Sequence, residues 1–307
     1  MYAVETRDLN KWYKTVKAVK GLNLKIPEGS VYGFLGPNGA GKTTTIKMLT
    51  GLSKPTSGRI FINSTEVKFG NKNNFQHIGY LPDVPQFYTW MTPEQLLTFC
   101  GELFSIDKSI LKNRVGELMH LVGLEGVNKR IGGFSRGMKQ RLGIAQALIN
   151  DPKVVFLDEP TSALDPIGRK EITDTIVKLA GKVTVFLSTH ILSDVERMCD
   201  RVLIINNGKA IMEDSIQNLR KKYPTRTILL ELENQRDAKI ILNTFKQQKW
   251  QENVSINESG EIRLSVNIIS EAQHSIPKIL SERELPLKKF LILEPSLEDI
   301  FLKVVNQ

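Results

Sequence analysis

One stretch of the sequence limits the fold more than any other. Val31-Tyr-Gly-Phe-Leu35 is a short apolar run. It leads into Gly36-Pro-Asn-Gly-Ala-Gly-Lys-Thr43, and a helical pattern follows from Thr44 to Leu52, where Pro55 and Gly58 stop it. The eight residues fit G-x-x-x-x-G-K-[ST] between a strand and a helix. Ordinary residue frequencies give that pattern by chance in about 1% of chains this long, before the strand–helix setting is required. Glycines let backbone N–H groups curl around phosphates while the helix N-terminus turns its positive end toward them. Lys42 reaches the outer phosphates and the Thr43 hydroxyl is placed for a metal. A chain built this way binds a nucleotide.

Binding alone does not separate kinases, switches and motors, so the second half of the site decides. Val154-Val-Phe-Leu157 is a buried-strand pattern that delivers Asp158 and Glu159 at its end. The first carboxylate suits Mg²⁺, and the second stands where it can orient and deprotonate an attacking water. Between these halves, Phe134-Ser-Arg-Gly-Met-Lys-Gln-Arg141 opens a helix capped by Ser135, with Met138, Leu142, Ala145, Leu148 and Ile149 on one face. Val183–Leu187 reads as another buried strand, followed by Ser188-Thr-His190. Asp165-Pro166 begins a helix that Gly181 closes, and Asn207-Gly208 marks a hairpin between 202–205 and 209–212.

Taken in order, GPNGAGKTT, FSRGMKQR, VVFLDEP, SALD and STH resemble the motifs of ABC transporter ATP-binding subunits, over residues 1–218. The resemblance implies an α/β phosphate-loop NTPase cassette with a helical subdomain near 90–150, hydrolysing ATP with Mg²⁺. It further implies two such cassettes head to tail, each ATP lying between one chain's Gly36, Pro37, Asn38, Gly39, Ala40, Gly41, Lys42, Thr43 and Thr44 and the other's Ser135, Arg136, Gly137 and Met138. Asp165 would touch the opposite phosphate loop, and His190 would sense the γ-phosphate beside the catalytic Glu159. Tyr13 resembles the aromatic that stacks on adenine, with Trp12 as its rival. The metal set would be Thr43, Asp158 and Asp83.

Two positions depart from the family's pattern. Arg136 replaces the more usual Gly, and Asp83, after strand-like Ile78–Leu81, stands where a Gln is expected, with Gln86 as the alternative. The resemblance also implies a separate membrane permease, whose short helix would seat on Phe87, Tyr88, Trp90 and Met91. The chain would then lie on the cytoplasmic face of the membrane, as half of a homodimer, and drive export.

Composition is compatible with this and excludes other classes. The 307 residues are 41% apolar and 24% charged, which suits a packed globular chain of two domains. No run approaches the ~20 apolar residues of a spanning helix, and no leader pattern opens the chain. Cys100 and Cys199 fit no disulfide framework or metal spacing. The net charge of +9 keeps one alternative open, a cassette ATPase acting on nucleic acid or ribosomes, although the basic residues form no block and no nucleic acid partner is expected.

The patterning changes style at 219–226. Beyond it, strands at 227–232, 261–266 and 289–293 alternate with helices at 237–248 and 270–284, and Ser296 caps a last helix. The expectation is a small accessory α/β domain over 219–307, ferredoxin-like in arrangement.

Overall fold

A computed structural model describes residues 1–224 and 226–305. It divides into two compact units: Met1–Asn218 with the chain from Phe301 on, and Leu219–Ile300.

The first unit is organised by a six-stranded sheet in the order Lys209–Ser215, Arg201–Asn206, Val31–Leu35, Thr184–Thr189, Val154–Asp158, Ile78–Leu81. The last five run parallel, and the first closes the Asn207-Gly208 hairpin as an antiparallel edge. Val31–Leu35, Val154–Asp158 and Thr184–Thr189 are buried at every position, which is why they read as unbroken apolar runs instead of alternating ones. Their registers pair Leu35 with Thr189 and Asp158 with Ser188. The three loops that follow therefore leave the sheet side by side. Open parallel sheets carry their ligands at such strand ends.

An antiparallel sheet of Val16–Leu22, Tyr2–Tyr13, Ser57–Ile62 and Thr65–Glu66, with Lys25–Pro27 paired to Tyr2–Tyr13, shares its core with the first. Leu9, Val19, Leu24, Ile26 and Ile60 pack there with Phe34, Ile46, Met48, Phe156 and Phe186. Sequence patterning did not expose this sheet, because its longest strand carries four charged residues and pairs with Val16–Leu22 through two register shifts.

The helix after the phosphate loop is Lys42–Leu49, beginning two residues earlier than its apolar pattern suggests. Gly41, at φ 107°, turns the loop directly into the helix, and Gly51, at φ 74°, ends it well before Pro55. Pro93–Leu103, Lys108–Leu121 and Arg136–Leu148 form the helical region. The first has a Thr92/Gln95 capping box and Pro93 in its first turn, and the third is capped by Ser135. Burial on Arg136–Leu148 is broader than one stripe. Gln140, Gly143, Ile144 and Ala147 are buried as well, while Met138 is only half-buried.

The second unit runs β-α-β-β-α-β: Thr227–Leu232, Gln235–Lys246, Gln251–Ile256, Ile262–Val266, Ile269–Glu282, Leu287–Ile292. Its sheet places the second strand at one edge, then the third, first and fourth, all neighbours antiparallel. That is the ferredoxin-like order. Ile228, Leu230, Phe245, Trp250, Leu264 and Ile276 form its own core. Gln251–Ile256 was missed by the sequence reading, being a polar edge strand with no fully buried residue. Ser296 does cap the final helix, its Oγ accepting from the Asp299 N–H at 3.1 Å. No described helix is long and apolar enough to cross a membrane.

Strand Ile78–Leu81 meets Arg136–Leu148 so closely that a Cβ on Gly79 would lie 1.9 Å from the Ala147 carbonyl oxygen. Gly79→Ala is expected to destabilise the chain at the upper end of the about 1–3 kcal/mol that overpacking costs, read from the urea midpoint at unchanged m-value.

Candidate nucleotide site

Strand Val31–Leu35 ends in a loop whose shape is set by contacts on both sides. The Gly36 N–H donates to the Thr189 carbonyl at 3.2 Å, and the Gly208 N–H donates to the Ala40 carbonyl at 3.0 Å. A Cβ at Gly36 would meet Ile205 O at 2.3 Å, and one at Gly41 would meet Ala18 O at 2.5 Å. The glycines are thus demanded by neighbouring backbone as well as by the turn. Pro37, Asn38 and Gly39 stay exposed, Thr44 is half-exposed, and Ala40 is buried.

Lys42 opens the helix and is buried. Its Nζ donates to Gly36 O at 2.8 Å and Pro37 O at 3.2 Å, and pairs with Glu159 Oε1 at 3.0 Å. Asp158 and Glu159 emerge from the adjacent strand end. Ser188 Oγ donates to Asp158 Oδ1 at 2.6 Å. Burial raises the Asp158 pKa; hydrogen bonds from Ser188 and Thr43 work against that rise, and the Glu159 and Asp83 charges add to it. Glu159 sits at φ 49°, its N–H shared between Ser188 O at 3.1 Å and Ser188 Oγ at 3.2 Å. Its other carboxylate oxygen, Oε2, lies 2.9 Å from His190 Nδ1. With the proton on Nδ1, the imidazole donates to Glu159 and leaves Nε2 as an acceptor.

The structure therefore gathers the 36–43 loop, Asp158, Glu159 and His190 into one cluster. Chemically it pairs a cation and helix N-terminus suited to phosphates with a carboxylate and imidazole suited to moving a proton. Other expected residues have local roles. Ser135 Oγ accepts from the Met138 N–H at 3.2 Å, and Asp165 Oδ1 accepts from the Gly168 N–H at 2.9 Å. Both therefore cap helices of their own chain, and Gly137 lies half-buried within the first turn of the helix that Ser135 caps. Asp83 is half-exposed, 3.8 Å from Arg136 and with its carbonyl held by the buried Gln140 side chain at 2.7 Å. Tyr13 and Trp12 are equally exposed, at 48% each, with Lys11 over the first ring and Lys17 over the second. Neither is distinguished from its rival.

Val84, Pro85 and Gln86, leading into the aromatic run, border an apolar cavity. This cavity of about 620 Å³ is lined by residues including Leu52, Tyr80, Leu81, Val84, Leu103 and Phe104. Tyr88 and Trp90 instead pack on each other, with Tyr88 edge-on to Phe99. Sequence reading also passed over Ser188, although it lies within STH; a hydroxyl at the end of a buried strand was the available signal, and the register sets it directly opposite Asp158. Both cysteines are buried and unbridged.

Strand order, phosphate loop and paired strand-end carboxylates define an ATP-binding cassette ATPase. Residues 19–162 match the family described as ABC transporter, and residues 215–305 match the ATP-binding protein DrrA1-3-like C-terminal domain. The bacitracin transport ATP-binding protein BcrA of Bacillus licheniformis is 39% identical over 99% of this chain and 97% of its own. The uncharacterized ABC transporter ATP-binding protein YxlF of Bacillus subtilis is 38% identical over the whole of both chains. Among solved structures, cbiO1 from Clostridium perfringens, part of the ABC transporter complex cbiONQ, superposes with TM-score 0.65 at 29% identity, over 72% of this chain and 94% of that one. A dimeric post-hydrolysis form of the ATP-binding cassette MJ0796 with ADP and Pi gives 0.63 at 25% identity, over 69% and 98%. The chain belongs to the ATP-binding proteins of ABC transporters, and it is an ATPase.

Ser188 holds two groups of the cluster at once. Ser188→Ala is expected to cost about 1–3 kcal/mol, because Asp158 Oδ1 loses a buried donor, and thermal denaturation measures it.

Proposed function

We infer that the chain drives export through a separately encoded membrane subunit, hydrolysing ATP within a dimer of cassettes. The observation that carries the hydrolytic assignment is the chain of contacts Lys42–Glu159–His190, at 3.0 and 2.9 Å. It sets one carboxylate between the phosphate-binding cation and an imidazole. In this reading the loop N–H groups of residues 36–44 and Lys42 bind the phosphates. Glu159 takes the proton of the attacking water, and His190 holds Glu159 and the γ-phosphate in line. Tyr13 stacks on adenine. Ser135, Arg136, Gly137 and Met138 close on the nucleotide of the partner cassette, and Asp165 lies against its phosphate loop.

Mg²⁺ fits the residues present. Asp158 and Thr43 are hard oxygen donors already in contact, with the Asp83 carboxylate in electrostatic range. Among the described residues no three His, Cys, Asp or Glu side chains converge into a metal site, which suits an ion completed by substrate phosphates. When bound, it offsets charge on the transferring phosphoryl group.

Export, and a permease as partner, draw support from the naming of BcrA as a bacitracin transport protein and from the apolar cavity beside Val84 and Phe104. The substrate is the permease's to select. A peripheral place on the cytoplasmic face follows from that partnership, and some of the +9 charge would then lie near anionic lipid, each basic group contributing about 1 kcal/mol. Full-length relatives that carry transporter names favour this reading over action on nucleic acid.

Glu159→Gln is expected to slow hydrolysis about 10²–10³-fold while ATP still binds and a closed dimer accumulates on gel filtration; undiminished turnover would refute the base assignment. Lys42→Ala is expected to remove ATP affinity, read by fluorescent-nucleotide titration. Affinity purification from detergent-solubilised membranes should recover permease peptides, and recovery of ribosomal proteins instead would overturn the transport reading.

A further inference from the structure

The segments bearing Glu159 and His190 are joined by a buried carboxylate. Asp194 lies four residues beyond His190, in the first turn of the helix Leu192–Met198, and is only 4% exposed. Its Oδ2 accepts from Thr161 Oγ1 at 2.6 Å, and its Oδ1 accepts from Arg169 Nε at 2.8 Å. Thr161 is itself buried, two residues after Glu159. Arg169 stands in the helix that Asp165 caps, and its second nitrogen donates to Ser193 Oγ at 3.1 Å. One side chain therefore fixes three segments: the turn after Glu159, the helix after Asp165 and the helix after His190.

That turn needs fixing. Glu159 and Ala163 both occupy the left-handed region, at φ 49° and 51°. That conformation is unfavourable for a side-chain-bearing residue and persists only where surroundings over-determine it. The Glu159 N–H contacts with Ser188 hold one end of the turn, and the Thr161 hydroxyl on Asp194 holds the other. The Arg169–Asp194 ion pair is the anchor for that second hold.

We propose that Asp194 is a positioning residue for ATP hydrolysis, acting through Thr161 and Arg169 to keep the Glu159 carboxylate against His190 Nδ1. The proposal rests on Glu159 being the base. Removing Asp194 outright would leave Arg169 partly buried without its partner and threaten the fold. The decisive variant is therefore Thr161→Val, which keeps the ion pair and side-chain volume and deletes only the hydroxyl.

The full-length protein is assayed as wild type, T161V, T161S, E159Q and the T161V/E159Q double variant, well below the lowest Tm. T161V is expected to lower kcat about 10–100-fold, as displacement of a catalytic group by a fraction of an ångström to 1 Å does. Affinity for fluorescent ATP stays within about twofold, and T161S restores turnover. In the E159Q background, T161V lowers the residual single-turnover rate no further, because the two residues act as one unit. Wild-type kcat in T161V alongside a crippled E159Q overturns the positioning role alone. Independent, multiplicative losses in the double variant overturn it as well, as does a parallel loss of ATP affinity. Wild-type turnover in E159Q overturns the reading of Glu159 as base, and this proposal with it.

Discussion

The pairing of Asp158 with Ser188 across neighbouring parallel strands is the constraint on which the site depends. Those strands are buried along their whole length, so their registers cannot slip without moving apolar side chains out of the core. Once the register is fixed, Ser188 Oγ meets Asp158 while the Ser188 carbonyl and hydroxyl both receive the Glu159 N–H. One strand over, Gly36 bonds to Thr189. The distances from Lys42 to Glu159 and from Glu159 to His190 follow from sheet geometry more than from any choice made by the loops.

The cluster is also where unfavourable terms accumulate. Lys42, Asp158 and Glu159 are all buried, and unpaired they would each carry a desolvation cost of several kcal/mol. Each is instead matched. Lys42 takes two loop carbonyls and Glu159, Asp158 takes Ser188 and Thr43, and Glu159 takes Lys42 and His190. The left-handed Glu159 backbone adds strain to the same place. Buried charge and strain of this kind persist where the surrounding core is rigid, and Phe156 and Phe186, at a ring separation of 5.6 Å, lie on the two strands in question.

What the sequence made legible divides along physical lines. Central strands and the phosphate loop were visible because burial on both faces, glycine and the strand–helix switch leave a local signature. The ferredoxin-like order of the second unit was anticipated from alternating elements, whereas its polar edge strand Gln251–Ile256 was not. The N-terminal antiparallel sheet stayed hidden, since a charged twelve-residue strand with two irregularities shows no clean period. Within the site, the 36–43 loop, Asp158, Glu159 and His190 came together and Ser135 and Asp165 did not join them, while Ser188, Thr161, Arg169 and Asp194 did not announce themselves. Their partners are 25 to 33 positions away, and nothing local marks a hydroxyl or a carboxylate as one half of such a pair. The apolar cavity beside the aromatic run was hidden for a related reason, its lining being drawn from positions as far apart as Leu52 and Asn150.

The carbonyl of Ala18 is approached by both Gly41 and Gly208, and the next-but-one residue, Lys20, bonds through its N–H to Gly208 O at 2.8 Å. Everything recognised there is main chain. The exposed residues at the start of this strand, Val16 and Lys17, are therefore free to drift in identity, and the buried Val19 and Leu22 only among apolar types, whereas a single inserted or deleted residue would shift the rail against which the phosphate loop is moulded. Variation in this hairpin should be tolerated letter by letter on its exposed positions and refused in length.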